Sequence, residues 1–346
     1  MSTPAPAARA GHPYHMHDAI YAQPGALRLV GRGNEAQLAA AAATLDSAPH
    51  VLLTGTGSSW HAALIGVLLL ARGGRLGPRV HATFGGELAD YGVPSDTGVA
   101  VVGITHRGTR SVADALASAR ASGVATVAVT AKGVGGLEAD HVLRTVERER
   151  SDTHTVSYTA TLGVLAMLAA AVGKDDALGR AVDALPDQIA LLLGQESWED
   201  IAARFGPRRQ FWFIGSGPNH ATALEGALKL TEAAAVPAIG LDAEQFVHGP
   251  WLAVERDDVV VLIAPPGPSH ARCVAAARVA KAAGAVILAL GAEGDREVSA
   301  LAEESIALPD VDELLSPIAA IVPLQLFAYH VALGRGRNPD GRPLPA

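Results

Sequence analysis

His50-Val-Leu-Leu-Thr-Gly-Thr-Gly-Ser-Ser59 is a short apolar run that ends in a Gly/Ser turn. Gln210-Phe-Trp-Phe-Ile-Gly-Ser-Gly-Pro-Asn219 has the same shape. Runs of this length rich in branched and aromatic residues predict buried strands at 50–54 and 210–214. The Ala- and Leu-rich stretches 60–71 and 220–235 that follow predict helices. The spacing from Gly55 to Ile104 equals that from Gly215 to Ala264, and each of these positions closes a second apolar run, 99–104 and 259–264. Further short β-rich runs follow at 125–130 and 285–290, and closing ones at 141–146 and 305–308. The same β-α-β order, met twice at matched distances, predicts an α/β chain with two related parallel sheets flanked by helices.

Composition supports this reading. The chain has 346 residues, 49% of them apolar, with 4% aromatic, 37 glycines and a net charge of −8. No basic block is present, which argues against a nucleic-acid role. Cys273 is the single cysteine, so no internal disulfide or cysteine metal cluster is expected, and a cytoplasmic protein is the natural inference. The residues at 1–10 are Ala- and Pro-rich without the apolar core of a signal peptide, and are expected to form a tail. His12, His15 and His17 lack the spacing and companion ligands of a metal site, so no metal is expected. The uncharged stretches 155–173 and 318–333 approach membrane-span length, but the hydroxyls of the first and Pro323 in the second predict core or dimer helices.

Chemistry concentrates in two places. Ala223-Leu-Glu-Gly-Ala-Leu-Lys-Leu-Thr-Glu232 puts Glu225, Lys229 and Glu232 at i, i+4 and i+7, on one helix face. Glu244-Gln-Phe-Val-His-Gly-Pro250 brings His248 soon after. A carboxylate base, a Lys and a His are the parts that move a proton between adjacent carbons of a sugar; an ordinary Glu225–Lys229 ion pair is the plainer alternative. The second place is a pair of strand-end loops. Gly57, Ser58 and Ser59 open a helix after the first strand, and backbone N–H groups with hydroxyls there suit an anion. The plainer alternative is a tight turn with Ser as helix cap. Ile104-Thr-His-Arg-Gly-Thr-Arg-Ser111 stands at the next strand end and offers Thr105, His106, Arg107 and Thr109.

Together these motifs resemble the sugar isomerase (SIS) family, and within it the isomerase half of the glutamine–fructose-6-phosphate aminotransferases, from about Tyr14 to Asp340. Further carriers are His15-Met-His-Asp-Ala-Ile-Tyr-Ala-Gln-Pro24, Gly57-Ser-Ser-Trp-His61, His248-Gly-Pro250 and Val322-Pro-Leu-Gln-Leu-Phe-Ala-Tyr-His-Val-Ala332. The resemblance implies two tandem SIS domains, at 29–190 and 191–336, between a lead-in at 1–28 and a tail at 337–346. A charged helical segment near 195–204 is expected to join them. It implies that Glu232 shuttles the proton between C1 and C2, that His248 opens the ring and is supplied by a neighbouring subunit, and that Lys229 and Glu225 support the site. It places Gly57, Ser58, Ser59, Thr105 and Thr109 at a sugar phosphate.

Three departures from the family pattern bear on the reaction. No glutaminase segment is recognised, and no Lys matches the family's Schiff-base Lys within 338–346. The second loop carries Arg107 and Arg110 where small hydroxyl residues are usual. In the family's Ser-Thr-Lys run, His154 and Thr155 stand instead, either to meet a different substituent or to cap the following helix. The expected activity is therefore a sugar-phosphate or aminosugar-phosphate isomerase or deaminase, without cofactor, working as a homodimer with shared sites. An ammonia-dependent synthase and a non-catalytic sugar-phosphate sensor are the alternatives.

Overall fold

Apolar runs bounded by glycine turns become ten strands in the computed structural model, which describes residues 9–93, 98–195 and 198–341. The outer residues of both expected tails, and positions 196 and 197 of the expected joining segment, lie outside this range. The strands are β1 (His50–Gly55), β2 (Val80–Phe84), β3 (Val99–Thr105), β4 (Ala125–Thr130), β5 (His141–Arg144), β6 (Phe211–Gly215), β7 (Ala238–Asp242), β8 (Val259–Ala264), β9 (Val286–Ala292) and β10 (Glu304–Leu308). They form two five-stranded sheets, in the orders β2-β1-β3-β4-β5 and β10-β9-β8-β6-β7. Every pairing is parallel. Read from the β7 edge, the second order repeats the first. The α/β reading with two parallel sheets is therefore correct.

Chain contacts gather residues 23–149 and 156–186 into one unit, around the first sheet. The other unit combines 187–341 with 150–155 and the described residues up to Ala22, around the second sheet. Each has its own core. In one, Val101, Val112, Leu116 and Ala128 are buried between strands and helices. In the other, Trp212, Phe246, Leu262, Val274 and Ile287 play that part.

The duplication extends to backbone angles. Gly57 precedes the Ser58–Leu68 helix at φ 59°, ψ −130°, and Gly217 precedes the Pro218–Ala234 helix at φ 57°, ψ −131°. That conformation disfavours any residue with a Cβ. The cap of the first helix is therefore Gly57, not a serine, and no side chain caps it. A second duplicated glycine brings helix onto sheet. A Cβ at Gly66 would meet Leu53 Cδ2 at 2.5 Å, and one at Gly226 would meet Leu324 Cδ1 and Phe213 Cδ1 at 2.8 Å.

β2 and β7 are absent from the sequence-based list of strands. Both lie at sheet edges and are only partly buried, so their residues carry a mixed polar pattern. The two long apolar stretches are the Val156–Gly173 and Ser316–Gly334 helices. By length and composition alone each is able to cross a membrane, yet 83% of each apolar window is buried within the protein. They are core helices. The second packs along the Pro218–Ala234 helix and so fixes the face on which the charged triad lies.

Candidate active site

The Pro218–Ala234 helix leaves β6 through Gly217, with Pro at its start where no intrahelical N–H is needed, and ends at Ala235 in the left-handed conformation. Its face carries Glu225 and Lys229 fully buried and Glu232 at 33% side-chain exposure. Lys229 Nζ lies 3.3 Å from Glu225 Oε1 and donates to Glu232 Oε2 at 2.5 Å. Burial works against the charged amine, but the two carboxylates outweigh it and raise the Lys229 pKa above its ordinary value. Lys229 is thus a fixed ammonium, poorly suited to act as an imine-forming nucleophile and well suited to clamp a carboxylate. The member of the triad that meets the outside is Glu232.

His248 ends the Ala243–Val247 helix, which Asp242 caps through Glu244 N at 2.8 Å and Gln245 N at 3.4 Å. Its ring is exposed, and its backbone N–H reaches Gln245 O at 3.2 Å. His248 belongs to the same unit as Glu225, Lys229 and Glu232.

In the other unit, β1 and β3 are neighbours at the point where the strand order reverses. Ligands of such sheets bind beyond the strand ends at this switch point. Both candidate anion loops stand there, and Thr56 Oγ1 lies 3.4 Å from Ser111 Oγ between them. Ser58 and Ser59 open their helix half-buried, beside exposed Gly57. Thr109 precedes the Arg110–Ala121 helix and is exposed. Thr105 is buried, and its Oγ1 accepts the Thr109 N–H at 2.7 Å. His106 Nε2 accepts the Glu149 N–H at 3.0 Å, and Arg107 donates to the Glu149 carbonyl at 3.4 Å. Burial, then the charges of Arg107 and Arg148, push the His106 pKa down to about 4. His106 is therefore a neutral acceptor that braces the loop.

Comparison with known proteins bears on what such a site does. The SIS domain model matches residues 206–335. The glutamine–fructose-6-phosphate aminotransferase (isomerizing) of Thermococcus kodakarensis is 36% identical over 354 residues, an alignment that takes in 96% of this chain. This protein belongs to the SIS family. It spans 57% of that relative's length. Two solved structures share the fold of this SIS protein. Tagatose-6-phosphate ketose/aldose isomerase from Escherichia coli superposes with a TM-score of 0.82 at 20% identity, covering 99% of this chain and all of that one. Glucosamine-6-phosphate deaminase from Thermotoga maritima gives 0.74 at 21% identity, covering 94% and 96%.

Within the SIS protein, His154 lies half-buried on the 150–155 segment, which groups with the unit that carries the triad. His154 and Thr155 immediately precede the Val156–Gly173 helix, whose first turn engages Glu149. Glu149 Oε2 accepts from Ser157 N at 3.1 Å and Ser157 Oγ at 2.6 Å, at the first turn of that helix. Sequence reasoning did not single out Glu149 as a functional residue, because it sits in the charged run Glu147-Arg-Glu-Arg150, which reads as solvated surface. It is 7% exposed. Of the three N-terminal histidines, His12 Nδ1 pairs with the Tyr329 hydroxyl at 2.8 Å, and His17 stacks on Tyr21 at 4.6 Å.

Proposed function

We propose that this SIS protein catalyses aldose–ketose isomerisation of a sugar phosphate, with ammonia release when the substrate carries an amine at C2. The observation that carries the reading is Glu232, a partly exposed carboxylate clamped by a buried Lys229 whose pKa the neighbouring carboxylates raise. Such a group is positioned to take a proton from a carbon beside a carbonyl and to return it. On this reading Glu232 removes the C1 proton of an open-chain ketose, leaving an enediolate, and redelivers it to C2 to give the aldose. On a 2-amino aldose the same shuttle, run from C2 to C1, yields a C2 imine. Water then hydrolyses the imine to a ketone and ammonia. Gly57, Ser58, Ser59 and Thr109 are assigned to the phosphate, and His248 of a second copy to ring opening.

The names of the aminotransferase relative and of the isomerase and deaminase neighbours support this substrate class. The protein is incubated in heavy water with fructose 6-phosphate, tagatose 6-phosphate and glucosamine 6-phosphate while C1 and C2 protons are followed by NMR. Deuterium entry that disappears in Glu232→Gln is the expected result. Full exchange in that variant removes Glu232 as the base. Tight binding of all three without exchange favours a sugar-phosphate sensor.

A further inference from the structure

Each sheet has a switch point, and the two differ in what fills them. At the second, β6 and β8 are adjacent where the strand order reverses. Ser216 and Gly217 follow β6, and Gly267 and Ser269 follow β8, ahead of the His270–Ala282 helix. Gly217 copies the backbone of Gly57. This is the same cradle, and it is occupied by the chain itself.

Glu313 Oε1 accepts the Ser269 N–H at 3.0 Å and is hydrogen-bonded by the Ser269 hydroxyl. The same hydroxyl lies 3.2 Å from the Ser216 carbonyl. A Cβ on Gly217 would stand 4.0 Å from Glu313 Oε1, so the carboxylate lies between both loops. A Cβ on Gly267 would meet Glu313 Cβ and Cδ at 2.7 Å, so the loop there has no room for a side chain while Glu313 is in place. The Ser216 hydroxyl is also engaged, donating to Asp242 Oδ2 at 2.9 Å. Ser216 and Ser269 are each 4% exposed. Glu313 is anchored from behind, since its carbonyl accepts the Ser316 hydroxyl at 2.7 Å where the Ser316–Gly334 helix begins.

The first repeat lacks these carboxylates. Phe84 pairs with Gly55 where Asp242 pairs with Gly215. Counted from the equivalent helices, Thr153 stands in sequence where Glu313 does, and Arg107 where Gly267 does. At these positions the first repeat carries Phe84, a hydroxyl and a cation, where the second has two carboxylates and a glycine. Asp242 and Glu313 also help burial raise the Cys273 thiol pKa, pushed up to about 12.

We propose that Glu313 is a built-in ligand of the second anion cradle. Its carboxylate takes the place that a bound phosphate takes in a cradle of this design, hydrogen-bonded by a loop N–H and a hydroxyl at a helix start. Each chain then offers one anion site, at Gly57 to Ser59, and removal of the Glu313 carboxylate opens a second. The role of the first site rests on the function proposed above; the occupancy of the second does not.

The test is phosphate stoichiometry. Inorganic phosphate is titrated into the wild type, Glu313→Ala and Glu313→Ser by equilibrium dialysis. Both variants are expected to bind one more phosphate per chain than the wild type. Adding Ser269→Ala to Glu313→Ala removes the extra one, whereas Ser59→Ala leaves it. A folded Glu313→Ala that binds the wild-type number overturns the proposal. A wild-type number of zero would instead remove the first loop as an anion site, while the difference of one still tests Glu313. Where the variants fold poorly, phosphate or formate is expected to raise their Tm more than that of the wild type. Poor folding that neither anion relieves in either variant also overturns it.

Discussion

Lys229 is a cation held between two carboxylates, and two of the three groups are cut off from water. Replacing it with Leu leaves Glu225 fully buried beside an apolar side chain. At 3.3 Å and an effective dielectric of about 20, the lost attraction to Glu225 is about 5 kcal/mol. Bringing both ions out of water cost several kcal/mol each, so the intact pair is worth little net. Breaking it is different, because one charge stays buried; losses of about 3–5 kcal/mol are the expectation for Lys229→Leu. Adding Glu225→Ile removes that stranded charge. The double variant is expected to regain most of the loss and to match or exceed the wild type. Urea unfolding at pH 7 reads the total. Hydrogen exchange of peptides from Pro218–Ala234 localises the loss, since a chain of two units need not unfold in one step. A Lys229→Leu protein as stable as the wild type refutes the reasoning. So does a Glu225→Ile change that adds to the loss instead of relieving it.

His106 sets an acid limit. Its folded pKa of about 4 lies below the usual 6.5, so the unfolded state takes the proton first. Its contribution is complete above pH 6.5 and is lost as the pH falls towards 4, about 3 kcal/mol in all at roughly 1.4 kcal/mol per pH unit. His106→Gln keeps an acceptor for the Glu149 N–H, so its stability is expected to fall less than the wild type's between pH 7 and 4, measured by urea unfolding at each pH. At Gly226 a new methyl group meets Leu324 and Phe213 at 2.8 Å. Gly226→Ala is expected to cost about 1–3 kcal/mol by overpacking and to lower turnover as the helix bearing Glu232 shifts, checked by thermal unfolding alongside the exchange assay.

How far the sequence carries depends on which force set each residue. The inner strands are buried on both faces, so β3, β4 and β8 read directly as apolar runs. β2 and β7 lie at edges, and Val80-His-Ala-Thr-Phe84 has no strong pattern to read. The i, i+4, i+7 spacing fixes the triad because a helix has one geometry. The loops do not have one. Thr105 and His106 read as ligands by residue type, and the structure adds that they also accept hydrogen bonds from Thr109 and Glu149 that shape the loop. Glu149 and Glu313 look like surface charge, yet each serves as an acceptor for a Ser N–H and hydroxyl. Glu149 reaches past the 150–155 segment to Ser157 and Glu313 joins a residue 44 positions away, and no local pattern announces either.

The duplicated helix also separates what the fold needs from what the chemistry needs. Counted from Gly57 and Gly217, Ile65 stands where Glu225 does and Leu69 where Lys229 does. Both apolar residues are fully buried in their own unit, as are the two charged ones in theirs. The same packing problem is thus solved in one repeat by hydrocarbon at no desolvation cost. In the other it is solved by an ion pair whose net value is close to zero. Stability gives no reason for the second solution. Beyond that point the helices differ: the first opens into a π-turn over Leu69–Gly73, while the second runs on as α-helix through Glu232. That continuation sets Glu232 within 2.5 Å of Lys229 and leaves the carboxylate partly exposed. The charged pair is therefore best understood as the mount for Glu232. The Glu225→Ile, Lys229→Leu protein, stable but with Glu232 unclamped, is expected on the proposed function to lose exchange activity to nearly the extent that Glu232→Gln does.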